Sequence, residues 1–340
     1  MGRYLGVDLH RNRFAVCTLA ENGRYYHRSW SIKDLDKFAA SLRSSDAVAV
    51  EVTTNTGLFY KVVRPCVKHL AVVNPGQFKV ISHSVKKTDR RDAEILAEFL
   101  SKDMLPEVRM KNEEQARVAS LTKTRDLLVK QRTALKNKIN NLLAAYGVLL
   151  PKESMSSQRR LREIPKYALN PSTEVELRVL CDQVLSLNES IAKLEKTISA
   201  EGQKLKGHRN LKSIKGIGDV GASILASIIG DVNDFSDDGK LASYFGIVPR
   251  VNRSNETEHH GRITKRGSKL GRTTLVQCAL VAKRYSPYLA KYYERIKRRR
   301  GAGKAIIALA RKFLSIIYLT LKNDWIYEDF PNFVLVDDAA

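Results

Sequence analysis

Four acidic residues, Asp8, Glu51, Asp89 and Asp92, stand where their side chains could together bind a divalent cation. Asp8 and Glu51 each come at the end of a short apolar run, so each carboxylate is predicted to stand near the end of a strand. A carboxylate buried at such a place costs roughly several kcal/mol unless a cation or a hydrogen-bond donor lies beside it. Hard oxygen ligands of this kind suit Mg²⁺, with Mn²⁺ as a second possibility.

The second pair of acids opens a predicted helix. The sequence from Thr88 to Asp92 begins a helical pattern, and the spacing of three residues places Asp89 and Asp92 on one face of that helix. Taken singly, each of the four acids could be a surface charge or part of a helix cap. Their joint arrangement, two at strand ends and two at a helix start, favours a metal site for phosphodiester chemistry.

The chain is strongly basic, which indicates a polyanionic partner. It has 340 residues with 59 Lys and Arg against 36 Asp and Glu, a formal charge of +23. This length is enough for two or three domains with a sizeable core. Residues 283–312 alone hold eleven basic residues against one acid, Glu294. A soluble basic protein is the simpler explanation, but nucleic acid is favoured because phosphate neutralisation dominates its non-specific binding.

The four cysteines are scattered, with no Cys-x-x-Cys pair. They indicate buried thiols in a reducing compartment rather than a disulfide framework. No apolar run reaches the length of about 18 residues needed for a transmembrane helix, and Met1 leads directly into a predicted strand. The sequence therefore predicts a cytoplasmic protein without a membrane partner.

Three regions follow one another along the chain. Residues 1–110 alternate short strand-like runs with helical segments, which predicts an α/β domain. Residues 111–204 carry two long helices with coiled-coil patterns, separated by a loop that begins at Pro151 and reaches Pro171. Residues 205–340 are predicted to form a mainly helical domain.

The two long helices could pair within one chain or with another copy. In the second helix, apolar residues recur in strict alternation of three and four positions; they are Leu177, Leu180, Val184, Leu187, Ile191, Leu194 and Ile198. In the first helix, Arg125 and Arg132 occupy two positions of the apolar seam. Because such charges are awkward in a dry seam within one chain, this pattern favours a homo-oligomer, a dimer or a tetramer, with partly wet contacts.

A glycine-containing turn between two short helical patterns resembles a helix-hairpin-helix. Its centre is Lys215-Gly216-Ile217-Gly218. Such a turn can present backbone N–H groups to a phosphate at a helix N-terminus. The alternative is an ordinary helix turn with a C-terminal glycine.

Ser254 is the candidate nucleophile. It follows Arg253 in a polar, turn-rich segment, and Arg262 comes soon after it, so a predicted loop would expose its hydroxyl near cations that neutralise a phosphate. On chemistry alone a single loop serine is a weak candidate, and Ser243 and Ser268 are alternatives.

The ordered set of motifs resembles the DEDD transposases of bacterial insertion sequences, the family that includes the Piv-type invertases and the bridge-RNA-guided serine recombinases. The resemblance covers nearly the whole chain and comprises VDLH, VEVTTNTG, KTDRRDAEILAEFL, the Gly216–Gly218 turn, YFGIVPRVNRSNE and GRITKRGSKLGR. One position departs from the pattern: Asn255 stands where the family usually has glycine.

The resemblance implies a RuvC-like, ribonuclease-H-type domain in which Asp8, Glu51, Asp89 and Asp92 hold Mg²⁺, and a C-terminal transposase domain whose nucleophile is Ser254. It also implies a recombinase that cuts and rejoins DNA to move its own element, with an RNA guide. Nucleic-acid contacts are expected from Lys86, Lys87, Arg90, Arg91, Lys215, Gly216, Gly218, Arg250, Arg253, Arg262, Lys265, Arg266, Arg298, Arg299 and Arg300. The alternatives are a RuvC-like structure-specific nuclease, which uses metal-bound water, and a non-catalytic nucleic-acid scaffold.

Overall fold

The computed structural model describes residues 2–76, 78, 88–151, 153–168, 170–254 and 257–327, with the backbone only at 252–254 and 257–260. The chain divides into two compact units, Met1–Met110 and Lys111–Ala340.

The N-terminal unit is built on a five-stranded mixed sheet. Its strands are β1 (Tyr4–Leu9), β2 (Arg13–Leu19), β3 (Tyr25–Ser31), β4 (Ala47–Glu51) and β5 (His69–Val73). They lie in the order β3-β2-β1-β4-β5. Strands β1, β2 and β3 pair antiparallel through tight turns, whereas β1, β4 and β5 pair parallel because helices connect them. The predicted α/β domain is confirmed.

Helices cover both faces of this sheet, since both faces carry apolar side chains. Helices α1 (Leu35–Ala40) and α2 (Thr56–Val63) pack against one face through aromatic residues, and α3 (Asp89–Ser101) packs against the other. Gly6 permits the close approach of α3: a Cβ atom at Gly6 would lie 2.0 Å from the carbonyl oxygen of Ala93. The start of α3 is therefore held near the end of β1.

The C-terminal unit begins with two long helices, α4 (Glu113–Ala144) and α6 (Pro171–Gly202). Side-chain pairs connect them in antiparallel order: Arg117 contacts Glu201, Arg125 contacts Glu195, and Lys138 contacts Glu176. The two helices thus pair within one chain.

The sequence pattern favoured a second copy as the partner of these helices, and that preference is wrong. Arg125 and Arg132 do not disturb the seam within the chain, because the guanidinium of Arg125 pairs with Glu195 and that of Arg132 donates to Asn188 at 2.9 Å. Both arginines are half-buried at the margin of the seam. The apolar seam itself is buried at every seventh position of α6, namely Leu177, Val184, Ile191 and Ile198.

The segment between the long helices is partly helical rather than a simple loop. Ser157 caps α5 (Gln158–Glu163), its side chain accepting from the backbone N–H of Arg160, and a 3₁₀ turn follows at Ile164–Tyr167. Leu161 and Ile164 are buried against Leu177 and its neighbours on α6, and this packing stabilises a helix too short to be stable alone.

The remaining helices surround a second apolar core, together with a β-hairpin. The helices are α7 (His208–Ser213), α8 (Asp219–Ile229), α9 (Asp238–Phe245), α10 (Lys269–Tyr285), α11 (Pro287–Arg300) and α12 (Ala302–Lys322), and the hairpin strands are β6 (Pro249–Ser254) and β7 (Thr257–Ile263). The core is contributed mainly by α8, α10 and α12.

A large stability effect is expected from the buried seam of α6. Ile198 is 0% exposed, so Ile198→Ala should lower the free energy of unfolding by about 2–5 kcal/mol through lost apolar contacts and a residual cavity. Val179 on the same helix is 56% exposed, and Val179→Ala should change it by no more than about 0.5 kcal/mol. Denaturant unfolding of both variants measures the difference; equal effects would contradict burial of the seam within the chain.

Candidate metal centre and serine hairpin

The parallel register of β1 and β4 brings Asp8 and Glu51 to the same edge of the sheet. Val7 is paired with Val50, so the next residue of each strand is one of the two acids. Side chains alternate along a strand, and Asp8 therefore shares the face of Gly6, the face on which α3 packs. The bond from the Thr56 hydroxyl to the carbonyl of Glu51, 3.1 Å long, fixes the chain as it leaves β4.

The first turn of α3 supplies the other two acids. Thr88 is the N-cap, and its hydroxyl accepts from the backbone N–H of Arg91 at 3.2 Å. Asp89 and Asp92 follow in the first turn, where carboxylates are also stabilised by the positive end of the helix dipole. Asp92 is buried at 7% exposure, and the side chain of Asp89 is 44% exposed.

All four predicted acids line one cavity of about 380 Å³ in the N-terminal unit. The cavity is open to solvent at the end of β1 and the start of α3. Its lining residues are Asp8, Leu9, His10, Glu51, Thr53, Thr88, Asp89 and Asp92. Two strands and one helix start thus converge on a concave site that is rich in oxygen ligands.

Without a bound cation, the ionised form of the Asp8 carboxyl is destabilised in this cavity. Burial raises the pKa of the Asp8 carboxyl, His10 opposes that rise, and Asp89 and Asp92 add to it. Like charges gathered at a partly buried position repel each other, so a divalent cation would stabilise the ionised carboxylates. The donor set, four carboxylates with an opening to solvent, fits Mg²⁺ or Mn²⁺.

The structure adds His10, which sequence reasoning missed. Its Nε2 atom lies 3.2 Å from Oδ2 of Asp8 and 3.3 Å from Oδ2 of Asp89. These three ligand atoms all lie within 4.8 Å of one another. The signal in the sequence was a histidine two residues after the first acid, but only the β1–β2 turn and the packing of α3 bring it to Asp89.

A larger groove of about 670 Å³ adjoins the acidic cavity and shares Thr88 and Asp89 with it. Three arginines line it, Arg13, Arg28 and Arg90, and the side chains of Arg13 and Arg90 are 73% and 71% exposed. Arg13 lies 3.5 Å from Oδ2 of Asp89. The groove is therefore basic along its length and acidic at the end that meets the candidate metal centre.

Nucleic-acid contacts were also predicted at Lys86, Lys87, Arg90 and Arg91, of which only the two arginines belong to the described residues. Arg91 bonds Glu94 at 2.8 Å and lies at the start of α3 beside Arg90. Lys86 and Lys87 lie outside the described residues.

The glycine turn of the C-terminal unit lies between α7 and α8. Gly216 has a φ of +107°, and a Cβ atom there would lie 2.6 Å from the backbone nitrogen of Ala282, so packing on α10 requires glycine. Gly218 is exposed at the start of α8. Asp219, in the first turn of that helix, pairs with Lys212 at 2.7 Å. Lys215 and Gly218 are accessible to a phosphate, whereas Gly216 has a packing role.

Ser254 ends a strand rather than standing in a loop, so that expectation is wrong. It is the last residue of β6 and pairs with Thr257 at the first position of β7. The hairpin lies outside the apolar core, and strands of that kind carry polar residues on both faces. The side chains of Ser254 and Arg253 lie outside the described atoms.

Cations flank this hairpin at its base. Arg250 on β6 and Arg262 on β7 are exposed, and Lys265 and Arg266 follow them. Lys265 has a φ of +56°. The loop holding Lys265 and Arg266 is fixed, because the guanidinium of Arg272 donates to the carbonyls of Arg266 and Gly267 at 3.0 and 3.1 Å.

The two alternative serines differ in their surroundings. The Ser268 hydroxyl caps α10 by accepting from the backbone N–H of Gly271 at 3.1 Å. Ser243 is exposed on α9. The commitment of Ser268 to a helix cap argues against it as the nucleophile.

The C-terminal end of α11 carries a basic surface. Arg298, Arg299 and Arg300 are consecutive and exposed, and Gly301 ends the helix after them. No helix in the described part of the chain is both long enough and apolar enough to cross a membrane.

Two family models match the chain. The DEDD transposase model of the IS110 group matches residues 5–148, and the model of the transposase IS116/IS110/IS902 family matches residues 208–294. The first match contains the acidic cavity, and the second contains the glycine turn and the serine hairpin.

Several curated proteins are similar over most of their length. A "Probable family 20 transposase" from Pseudomonas aeruginosa is 30% identical over 250 residues, 71% of this chain and 74% of the relative. The "Transposase for insertion sequence element IS1111A" from Coxiella burnetii is 29% identical over 96% of this chain and 91% of the relative. A "Pilin gene-inverting protein" from Moraxella bovis is 24% identical over 94% of this chain and 96% of the relative.

Proposed function

The chain belongs to the IS116/IS110/IS902 family of transposases, and we propose that it excises and inserts a mobile DNA element with a serine nucleophile and a four-carboxylate metal site. The observation that carries the proposal is the convergence of Asp8, Glu51, Asp89 and Asp92 on one cavity. The relatives named as a transposase and as a pilin gene-inverting protein support the rearrangement of DNA as the outcome.

In the proposed chemistry, the chain's own residues hold the scissile phosphate and supply the nucleophile. Asp8 and Asp92 are buried and stay fixed, while Asp89 and His10 border the opening through which a phosphate would enter. Mg²⁺ or Mn²⁺ held by the four acids would stabilise charge on the phosphoryl and leaving oxygens.

The serine step conserves the energy of the phosphodiester. The Ser254 oxygen forms a bond to phosphorus, the bond from phosphorus to one strand's terminal oxygen breaks, and the hydroxyl proton passes to that leaving oxygen or to water. The incoming strand's hydroxyl then reverses the exchange and releases Ser254. No external energy source is needed for rejoining, because the number of ester bonds to phosphorus is unchanged.

DNA binding is proposed for three basic surfaces. They are the groove with Arg13 and Arg90, the base of the serine hairpin, and the end of α11. A guide RNA is part of the proposal and is supported by the charge of +23 and by the family resemblance. A homo-oligomer is proposed as well, since both units must act on the same DNA, from one chain or from two copies.

Two other functions would give different products. A RuvC-like nuclease would cut DNA with metal and leave no protein attached, and a non-catalytic scaffold would bind DNA without cutting it. Incubating purified protein with element-end DNA, with and without Mg²⁺, tests all three. Metal-dependent cleavage accompanied by a covalent protein–DNA adduct supports the proposal.

Removing charge from the end of α11 should reduce the salt dependence of DNA binding. The triple variant of Arg298, Arg299 and Arg300 to Gln should bind DNA more weakly at all sequences and lower the log–log salt slope by up to about three. Fluorescence anisotropy over a salt series measures this slope.

A matched control exists on α5, whose exposed Arg159, Arg160 and Arg162 can be changed to Gln in the same way. If the α5 triple variant lowers the slope as much as the α11 variant does, net charge rather than the α11 surface determines binding. An unchanged slope in the α11 variant would show that its arginines are a solvated face.

A further inference from the structure

We propose that His10 is a nitrogen ligand of the divalent cation, and that it makes the site prefer Mn²⁺ to Mg²⁺. This inference rests on the metal site proposed above. Neither the family match nor the sequence motif assigns a role to this histidine.

The distances from His10 to two of the acids fit neighbouring ligands of one octahedral ion. Two neighbouring ligands of an octahedral ion with bonds of about 2.1 Å lie about 3.0 Å apart. The Nε2 atom of His10 lies 3.2 Å from Oδ2 of Asp8 and 3.3 Å from Oδ2 of Asp89, close to that separation. The imidazole nitrogen thus lies at the separation expected of a neighbouring ligand from each of the two carboxylate oxygens, and all three atoms lie within 4.8 Å of one another.

The turn that carries His10 is held in place from outside the site. The backbone N–H of His10 donates to the carbonyl of Arg13 at 3.0 Å. The side-chain amide of Asn55 donates to the carbonyls of His10 and Arg11 at 3.1 and 2.8 Å. These bonds hold the backbone between β1 and β2 in place, so the imidazole is presented to the two acids from a fixed turn.

A second explanation of the same distances is an ion pair, in which a protonated imidazole neutralises the acids without a metal. The two explanations predict opposite effects. A protonated His10 competes with a metal ion, so its removal would strengthen metal binding. A ligand contributes a bond, so its removal weakens metal binding.

A nitrogen ligand also changes which ion the site prefers. Mg²⁺ is a hard cation that favours oxygen ligands and retains water, whereas Mn²⁺ accepts imidazole more readily. With His10 in the shell, loss of the imidazole should cost more affinity for Mn²⁺ than for Mg²⁺.

The test is Mn²⁺ binding to the full-length protein, followed by electron paramagnetic resonance. The wild-type complex should show ¹⁴N hyperfine coupling to Mn²⁺ in pulsed spectra. His10→Ala should remove this coupling and lower Mn²⁺ affinity about 10- to 100-fold, with a smaller loss for Mg²⁺ measured by competition. His27→Ala is the matched control, because His27 is an imidazole in the same unit that pairs with Glu94 at 3.0 Å.

Two results would overturn the inference while leaving the metal site intact: no ¹⁴N coupling in the wild-type complex, or Mn²⁺ affinity that is unchanged or higher in His10→Ala. A wild-type protein that binds neither ion would instead reject the metal site together with the inference. The wild-type spectrum requires no variant, so the test stands even if His10→Ala folds poorly.

Discussion

Asp92→Asn should lower Mg²⁺-dependent strand cleavage by about 10²- to 10³-fold, because it removes a charged ligand and keeps the side chain's shape. Asp92 is buried in the first turn of α3 and lines the cavity that also contains Asp8. Cleavage rates on element-end DNA measure the effect. Asp36→Asn is the matched control, since Asp36 stands in the first turn of α1 and is exposed.

The same variant should separate catalysis from folding. Burial and the neighbouring acids raise the pKa of Asp8, so its ionised form is unfavourable in the protein without metal. Added Mg²⁺ should therefore raise the melting temperature of the wild-type protein, and Asp92→Asn should lose most of that rise while melting no lower without metal. If Asp92→Asn cleaves at the wild-type rate in Mg²⁺, the acids have been misassigned.

The meeting of the four acids could be foreseen because it depends on local rules. The apolar runs before Asp8 and Glu51 predict neighbouring strands, and the i, i+3 spacing of Asp89 and Asp92 predicts one helix face. The sequence does not reveal how closely α3 approaches β1. That approach depends on Gly6 and on the carbonyl of Ala93, which are 87 residues apart in the chain.

His10 was missed for the same physical reason. Its neighbours in sequence predict a turn, and a histidine in a turn is usually a surface residue. Its contact with Asp89 joins residues on different elements, and no periodicity in the sequence encodes such a contact. The local pattern thus predicts which strands and helices form, and long-range packing decides which side chains meet.

The pairing of α4 and α6 shows where a rule about charge fails. A charge at the position of Arg125 is unfavourable in a dry seam inside one chain, but Glu195 on α6 compensates it. The compensating residue lies 70 positions away, and its relation to Arg125 follows only from the antiparallel register of the two helices. Half-burial also lets each guanidinium keep contact with water.

The sequence predicts a loop around Ser254 instead of the β6–β7 hairpin, because the residues of this segment are of types common in turns. Arg, Asn, Ser and Glu dominate the segment around Ser254, and these residues are depleted from strands that are buried on one face. The β6–β7 pairing is stabilised by backbone hydrogen bonds at the edge of the core instead. Ser254 stands at the last position of β6, and its role as the nucleophile stays a proposal.

Ser254→Ala should abolish the covalent protein–DNA adduct while leaving DNA affinity nearly unchanged. A suicide substrate that loses its leaving strand prevents rejoining, so wild-type protein should accumulate on DNA through a phosphoserine bond that peptide mapping assigns to Ser254. One hydroxyl contributes little to a charge-dominated interface, so binding should remain within about two- to threefold of wild type.

Two neighbouring serines provide the controls for this experiment. Ser243→Ala should form the adduct as wild type does, because Ser243 is an exposed residue of α9 with no assigned role. Ser268→Ala should also form it but lose about 1 kcal/mol of stability, since its hydroxyl caps α10. An adduct that maps to Ser243 or Ser268 would move the nucleophile and keep the mechanism. Cleavage by Ser254→Ala at the wild-type rate, with no adduct at any residue, would instead assign the attack to water and make the protein a nuclease.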